Sequence, residues 1–315
     1  FIEFGSHCQK SNKGYADGIK LAAFNQDDTR IITFSEDGIA WLWNRDGTFV
    51  AILKGHSDGV TSASFHHAET FKNDGSNSYI ITASKDGTAR LWTEDGTFIA
   101  ALREHTDEVH LAKFNYDGNR IVTFGWDNTA RLWDGNGHII AILEGHKDRV
   151  LSATFSFSGG RLVTASADYT AWLWDGNGIS LNVFLGHTAS VSSATFNHDG
   201  SQIITASADK TARLWGGDGT FITTLIGHQD RVHSAVFNHD GSRIATASAD
   251  KKALLWNEKG DLLKILKDHT ASVNSVVFNH DGSRIITASE DKTARLWDRD
   301  GNCIATLEGH QSSVN

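Results

Sequence analysis

Apolar and polar residues alternate along this chain in short runs that stop and restart every few residues. Between Val191 and Leu225 the runs read "VSSATF" (191–196), "SQIITAS" (201–207), "TARLW" (211–215) and "FITTL" (221–225). Each is rich in β-branched or aromatic residues, as a pleated, half-buried strand requires. Asp199-Gly200 and Asp218-Gly219 interrupt them, and Asp-Gly pairs tolerate the left-handed backbone of a tight hairpin. Similar pairs recur at Asp117-Gly118, Asp240-Gly241 and Asp281-Gly282, and at Asp46-Gly47, Asn136-Gly137 and Asp300-Gly301. No segment keeps a 3.6-residue period over a useful length. The pattern predicts an all-β chain of four-stranded antiparallel units.

The units repeat. A Trp preceded by Leu stands at Trp43, Trp92, Trp133, Trp174, Trp215, Trp256 and Trp297, a first step of 49 residues followed by five of 41. Six residues before each lies an Asp (Asp37, Asp86, Asp127, Asp168, Asp209, Asp250, Asp291). Four before each Asp lies a Thr (Thr33, Thr82, Thr123, Thr164, Thr205, Thr246, Thr287). Upstream of each set is a His: His7, His56, His105, His146, His187, His228 and His269, with His310 an eighth at the end. Fixed self-similarity of this length marks a repeat architecture.

Four strands per 41 residues, with Gly-His at one end and Trp-Asp at the other, resemble the WD40 repeat family over nearly the whole chain. The resemblance implies a seven-bladed β-propeller, each blade a four-stranded antiparallel sheet, with blades near 8–53, 57–102, 106–143, 147–185, 188–225, 229–266 and 270–307. Only Trp133, Trp174 and Trp297 are followed by Asp, and Glu104 and Asp268 replace the Gly before His105 and His269. These departures fall at strand ends. "FIEFGSH" (1–7) aligns with "IATLEGH" (304–310), so two segments offer the last blade its fourth strand. The family's propellers usually close with a strand from the other terminus, here Phe1–Phe4. Cys303–Leu307 can instead pair locally at lower loop-closure cost and is favoured. A continuation into further blades after Asn315 is the other possibility.

The resemblance also implies a structural network: His269, Thr287, Asp291 and Trp297 in the last blade, His187, Thr205, Asp209 and Trp215 in the fifth. An Asp can accept from a turn amide and an imidazole N–H; the second imidazole nitrogen can take a Thr hydroxyl proton; the hydroxyl oxygen can accept an indole N–H. A Ser/His/Asp catalytic reading needs one unique set with an oxyanion hole. Seven equivalent sets argue instead for a brace, and the Ser two before the Asp is replaced by Gly125 in one unit while Thr is kept in all seven.

Function is sought where the repeats differ. In the family, partners mostly dock on the narrower face, at the third and fifth residues after the loop His and at the residue before the turn Asp. Those positions are Ser190, Ser192 and Ala208 in blade five, and Ser272, Asn274 and Glu290 in blade seven. They change character at Glu108, His110 and Trp126, at Arg149 and Leu151, at Arg231 and His233, and at Lys20, Glu36, Thr61 and Lys85. Trp41 and Trp172 precede a repeat Trp by two and are expected to pack along its strand. Trp126 alone lies in a turn, near Arg149 and His110, as a protein-binding hot spot would; Tyr169 extends the patch. The competing expectation folds Trp126 onto a neighbouring blade in space left by Gly125.

Composition narrows the choices. A formal charge of −9 disfavours a general nucleic-acid or anionic-membrane binder. No run of 18 apolar residues is present. Two cysteines, Cys8 and Cys303, and no recognisable leader fit a reducing, cytoplasmic setting. The chain begins at Phe1, which suggests an excised piece of something longer. Pro and Met are absent, consistent with one template copied repeatedly. Insertions at 8–18 and 66–78 lengthen loops on opposite faces, and His66-His67 lacks the further ligands a metal needs. The expected function is a non-catalytic protein-interaction or sensor module of a larger signalling or regulatory protein, without cofactor, binding a protein or peptide. Two rivals are a nucleic-acid or histone-tail binder using Lys20, Lys85, Arg149 and Arg231, and a channel enzyme, for which only His110 and His233 offer themselves.

Overall fold

Each 41-residue unit closes on itself as a sheet of four successive strands. The computed structural model describes residues 19–25, 27–66 and 78–314, and these build seven four-stranded antiparallel sheets, with no helix among the described residues. The sheets are the blades of a β-propeller. In blade five the strands are Val191–Phe196, Gln202–Ser207, Thr211–Gly216 and Phe221–Ile226. Their register sets Ile203 opposite Trp215 and Thr205 opposite Arg213. The same register recurs in every blade because the same residues recur at the same spacing. A bulge before the repeat Trp, at Leu214/Trp215 here, recurs in all seven and adds local twist.

The turn between second and third strands carries a left-handed residue directly after its Asp in every blade. Blades one and two place Gly38 (φ 76°) and Gly87 (φ 77°) there; the others place Asn128 (64°), Tyr169 (74°), Lys210 (73°), Lys251 (71°) and Lys292 (68°). For the Tyr and Lys residues this conformation costs about 1–2 kcal/mol each. The turn is therefore held by something outside the backbone.

The core lies between blades. Ile204, Leu214 and Leu225 of blade five pack on Val232, Ile244 and Trp256 of blade six, and six such apolar clusters join successive blades among the described residues. Cys303–Leu307 pairs with Ala294–Asp298, setting Trp297 opposite Cys303, so the last blade takes its fourth strand locally. Phe1–Phe4 and the 8–18 insertion lie outside the described residues, as does most of the 66–78 insertion. Cys303 is exposed and in no disulfide.

Candidate functional site

The polar quartet assembles as the hydrogen-bonding capacities demand. In blade five, His187 Nδ1 lies 2.7 Å from Asp209 Oδ2 and its Nε2 lies 2.8 Å from Thr205 Oγ1. Trp215 Nε1 donates to the same Thr205 oxygen at 3.0 Å. Asp209 Oδ2 also accepts the Thr188 amide, and Oδ1 accepts the Thr211 amide and hydroxyl. The carboxylate can only accept, so Nδ1 carries the proton and Nε2 receives the Thr hydroxyl. The last blade repeats this with His269, Asp291, Thr287 and Trp297 at 2.8, 2.8 and 2.9 Å. Blades two, three, four and six do the same. In blade one Trp43 donates to Thr33 at 2.9 Å, and His7 lies outside the described residues.

This chemistry ties the loop before the first strand to the turn after the second. Burial would raise the carboxyls of Asp86, Asp127, Asp168 and Asp291, but bonds from the His, the Thr and turn amides outweigh it and hold them well below the carboxylate range. Burial pushes His105, His187 and His269 below their ordinary value, more than the partner Asp pulls them back. These three imidazoles are thus neutral links between a carboxylate and a hydroxyl. Buried beside the strands, they have no open face for a substrate.

At the same end of the strands sit the residues that vary. The Arg149 guanidinium stands over the Trp126 ring, 5.0 Å from its centroid, and the indole is 43% exposed. Gly125 permits this because a Cβ there would lie 2.1 Å from the Glu108 carbonyl oxygen, the same oxygen that accepts the Trp126 amide at 3.0 Å. Arg149 is further steadied by Asp148 at 3.8 Å. His110 is exposed with its ring 6.0 Å from that of Phe124, Leu151 is half-buried, and Tyr169 is exposed at its left-handed turn. Arg231 is exposed, whereas His233 turns toward Ser272 (3.2 Å); burial, and then Arg231, lower its pKa. Lys85 pairs with Glu36 at 3.9 Å. Lys20 falls in the strand Ile19–Phe24, its side chain outside the described residues. Trp41 and Trp172 stack on Trp43 and Trp174, centroids 5.9 and 5.3 Å apart.

The opposite end of the strands holds features that the sequence does not announce. Tyr116, Phe157, His198, His239 and His280, each in the first hairpin of successive blades, form a continuous ladder of rings with centroids 4.3, 4.1, 4.1 and 4.6 Å apart. Beside its first three rungs is a cleft of about 320 Å³ lined also by Lys113, Asn115 and Asn197. Burial pushes the Lys113 ammonium down to about 8, and its Nζ donates to Thr154 Oγ1 at 3.3 Å. The only signal in sequence is an aromatic or His two residues after the last Phe of the first strand in blades two to seven. Among the described residues no group of three or more His, Cys, Asp or Glu could hold a metal ion, and no helix is long and apolar enough to cross a membrane.

A family model described as "WD domain, G-beta repeat" matches residues 47–93, 96–134, 137–175, 178–216, 219–257 and 260–298. Each match takes the fourth strand of one blade with the first three of the next, so every sequence repeat spans a blade interface. No curated protein matches the chain. Among solved structures, the crystal structure of the computationally designed Ika8 protein superposes with a TM-score of 0.79 at 23% identity, covering 96% of this chain and 91% of that one. That likeness speaks to the fold.

Proposed function

The chain belongs to the WD40 repeat family, whose propellers commonly serve protein interaction, and from that premise we propose that it is a non-catalytic interaction or sensor module. Its partner is a protein or peptide that docks at the strand ends carrying Trp126, on the family's narrower face. The observation behind this reading is the pairing of Trp126 with Arg149: a large, half-exposed indole capped by a guanidinium, at a position that elsewhere bears Glu, Lys or Ala. Trp and Arg together supply apolar area and directed hydrogen bonds, the composition of interface hot spots. Glu108, His110, Leu151 and Tyr169 in blades three and four, and Arg231 and His233 in blade six, are the other varied positions that this reading assigns to the face. Lys85 is engaged by Glu36, which leaves the phosphate-binding alternative with less support. A cytoplasmic place within a larger signalling or regulatory protein belongs to the same proposal. Affinity capture with the wild type against a Trp126→Ala, Arg149→Ala double variant is the test. Partners held by the wild type and lost from the variant support the patch; identical partners on both sink it.

A further inference from the structure

Among the described residues, the first and last blades each have one face more exposed than its counterparts in the other blades. In blades one to six, Ile32, Ile81, Val122, Val163, Ile204 and Ala245 are fully buried against the following blade. Their counterpart in blade seven, Ile286, is 40% exposed, and Val277 beside it 51%. Leu296 and Leu307 are part-exposed where Leu214 and Leu225 are buried. Blade one shows the complementary lack. Ile31 and Trp43 are part-exposed where Ile203 and Trp215 are buried, and Phe24 is 51% exposed. No apolar cluster joins blade seven to blade one among the described residues.

The place beside blade seven has already been entered. Val314 sits 41 residues after Val273, as Val273 does after Val232, and is preceded by Gly309-His310 as each blade is preceded by its loop His. Its amide donates to the Ser289 carbonyl at 2.9 Å, and its carbonyl accepts from Asn274 Nδ2 at 3.2 Å. The latter repeats a bond found between internal blades, where Ser192 Oγ donates to the Val232 carbonyl at 2.8 Å and Thr61 Oγ1 to that of Val109 at 2.6 Å. Ile19, which opens blade one in the same register, would need the seat that Val314 holds.

We propose that the gap between blade seven and blade one is the seat of an eighth blade of the same repeat, entered by the polypeptide at residues 308–314. Its leading face would cover Ile286, Leu296 and Leu307, and its trailing face Phe24, Ile31 and Trp43. Two apolar faces of opposite kind, one lying open at each end of the array, are what a single blade of this type satisfies.

Hydrogen exchange on the 315-residue chain, and on a chain extended after Asn315 by a copy of residues 193–226, tests this. The native chain should exchange faster at Arg284–Ser289, Ala294–Asp298 and Arg30–Ser35 than at Gln202–Ser207. The extension should slow those strands by about 100-fold and raise Tm by several degrees. The same extension with Ile203→Asp and Trp215→Ser made in the copy should do neither. Equal protection of all blades in a monomeric native chain means the ring closes on itself and overturns the proposal. So does a head-to-tail oligomer in sedimentation with those strands protected, which makes a second copy the occupant. An intact extension that changes nothing overturns it too. The first comparison needs no variant, so a failure of the extension to fold leaves it decisive.

Discussion

Thr205 Oγ1 accepts the indole N–H of Trp215 at 3.0 Å while donating its own proton to His187, which makes one hydroxyl the joint between a strand and a loop. Replacing it by the isosteric apolar residue, Thr205→Val, keeps the volume and strands both partners. Each buried group left without a partner costs about 1–3 kcal/mol. Chemical denaturation should show a lower midpoint with unchanged slope. Thr205→Ser, which keeps the oxygen, should lose much less.

Acid should loosen the clamps in two stages. His105, His187 and His269 lie below the ordinary 6.5 when folded, so the unfolded chain binds more protons once pH drops under that value. Stability is then full above about 6.5 and declines beneath it. Asp86, Asp127, Asp168 and Asp291, also depressed, add a further loss as pH falls through and below 3.8. Thermal unfolding followed between pH 8 and 3 should trace this fall. A Tm flat from pH 7 to 5 would contradict the neutral imidazoles.

Lys113 has the same sign of dependence, in a higher pH window. Its ammonium is held at about 8 by burial alone, against an ordinary 10.5, so the folded protein sheds a proton that the unfolded one keeps. Stability therefore rises with pH between those values. Lys113→Met should raise Tm at pH 7, with the margin vanishing as pH approaches 10.5. An unchanged Tm at pH 7 would mean the amine is fully hydrated.

At Gly125 the consensus is the wrong choice. Five of the six blades that carry Ser here send its hydroxyl to a carbonyl of the loop that follows the His, as Ser207 does to Ala189 at 3.0 Å. Here the Glu108 carbonyl lies where a Cβ would be. Gly125→Ser should destabilise by about 1–3 kcal/mol, as overpacking does. It should also blue-shift or red-shift the Trp126 emission as the turn is displaced.

The strands, their turns and the quartet were all legible in the sequence, because each depends on spacing within one blade. The His187–Asp209 and Thr205–Trp215 bonds follow from residue type once the register is known. What spacing could not give is anything decided across blades. His198, His239 and His280 are 41 residues apart, and only the rotation from blade to blade stacks their rings. Lys113 reads as an ordinary strand lysine until Thr154 of the next blade is set against it. Ile286 is the same letter as Ile204, at the same place in its repeat; only its exposure, with no following blade among the described residues, distinguishes it. Trp126 is conspicuous in sequence as the one turn Trp, while its capping by Arg149 depends on how blade four is set against blade three.

The local pairing of Cys303–Leu307 bears on how the protein comes to be made. Every described sheet draws its four strands from one uninterrupted stretch, so hairpins form between near neighbours and their closure entropy is small. A blade can finish as soon as its own residues leave the ribosome, and the next then condenses on a template already set. No sheet among them has to wait for the far terminus to arrive. Assembly of this kind proceeds like a zip, and its hazard is a strand settling into the matching slot of an almost identical blade.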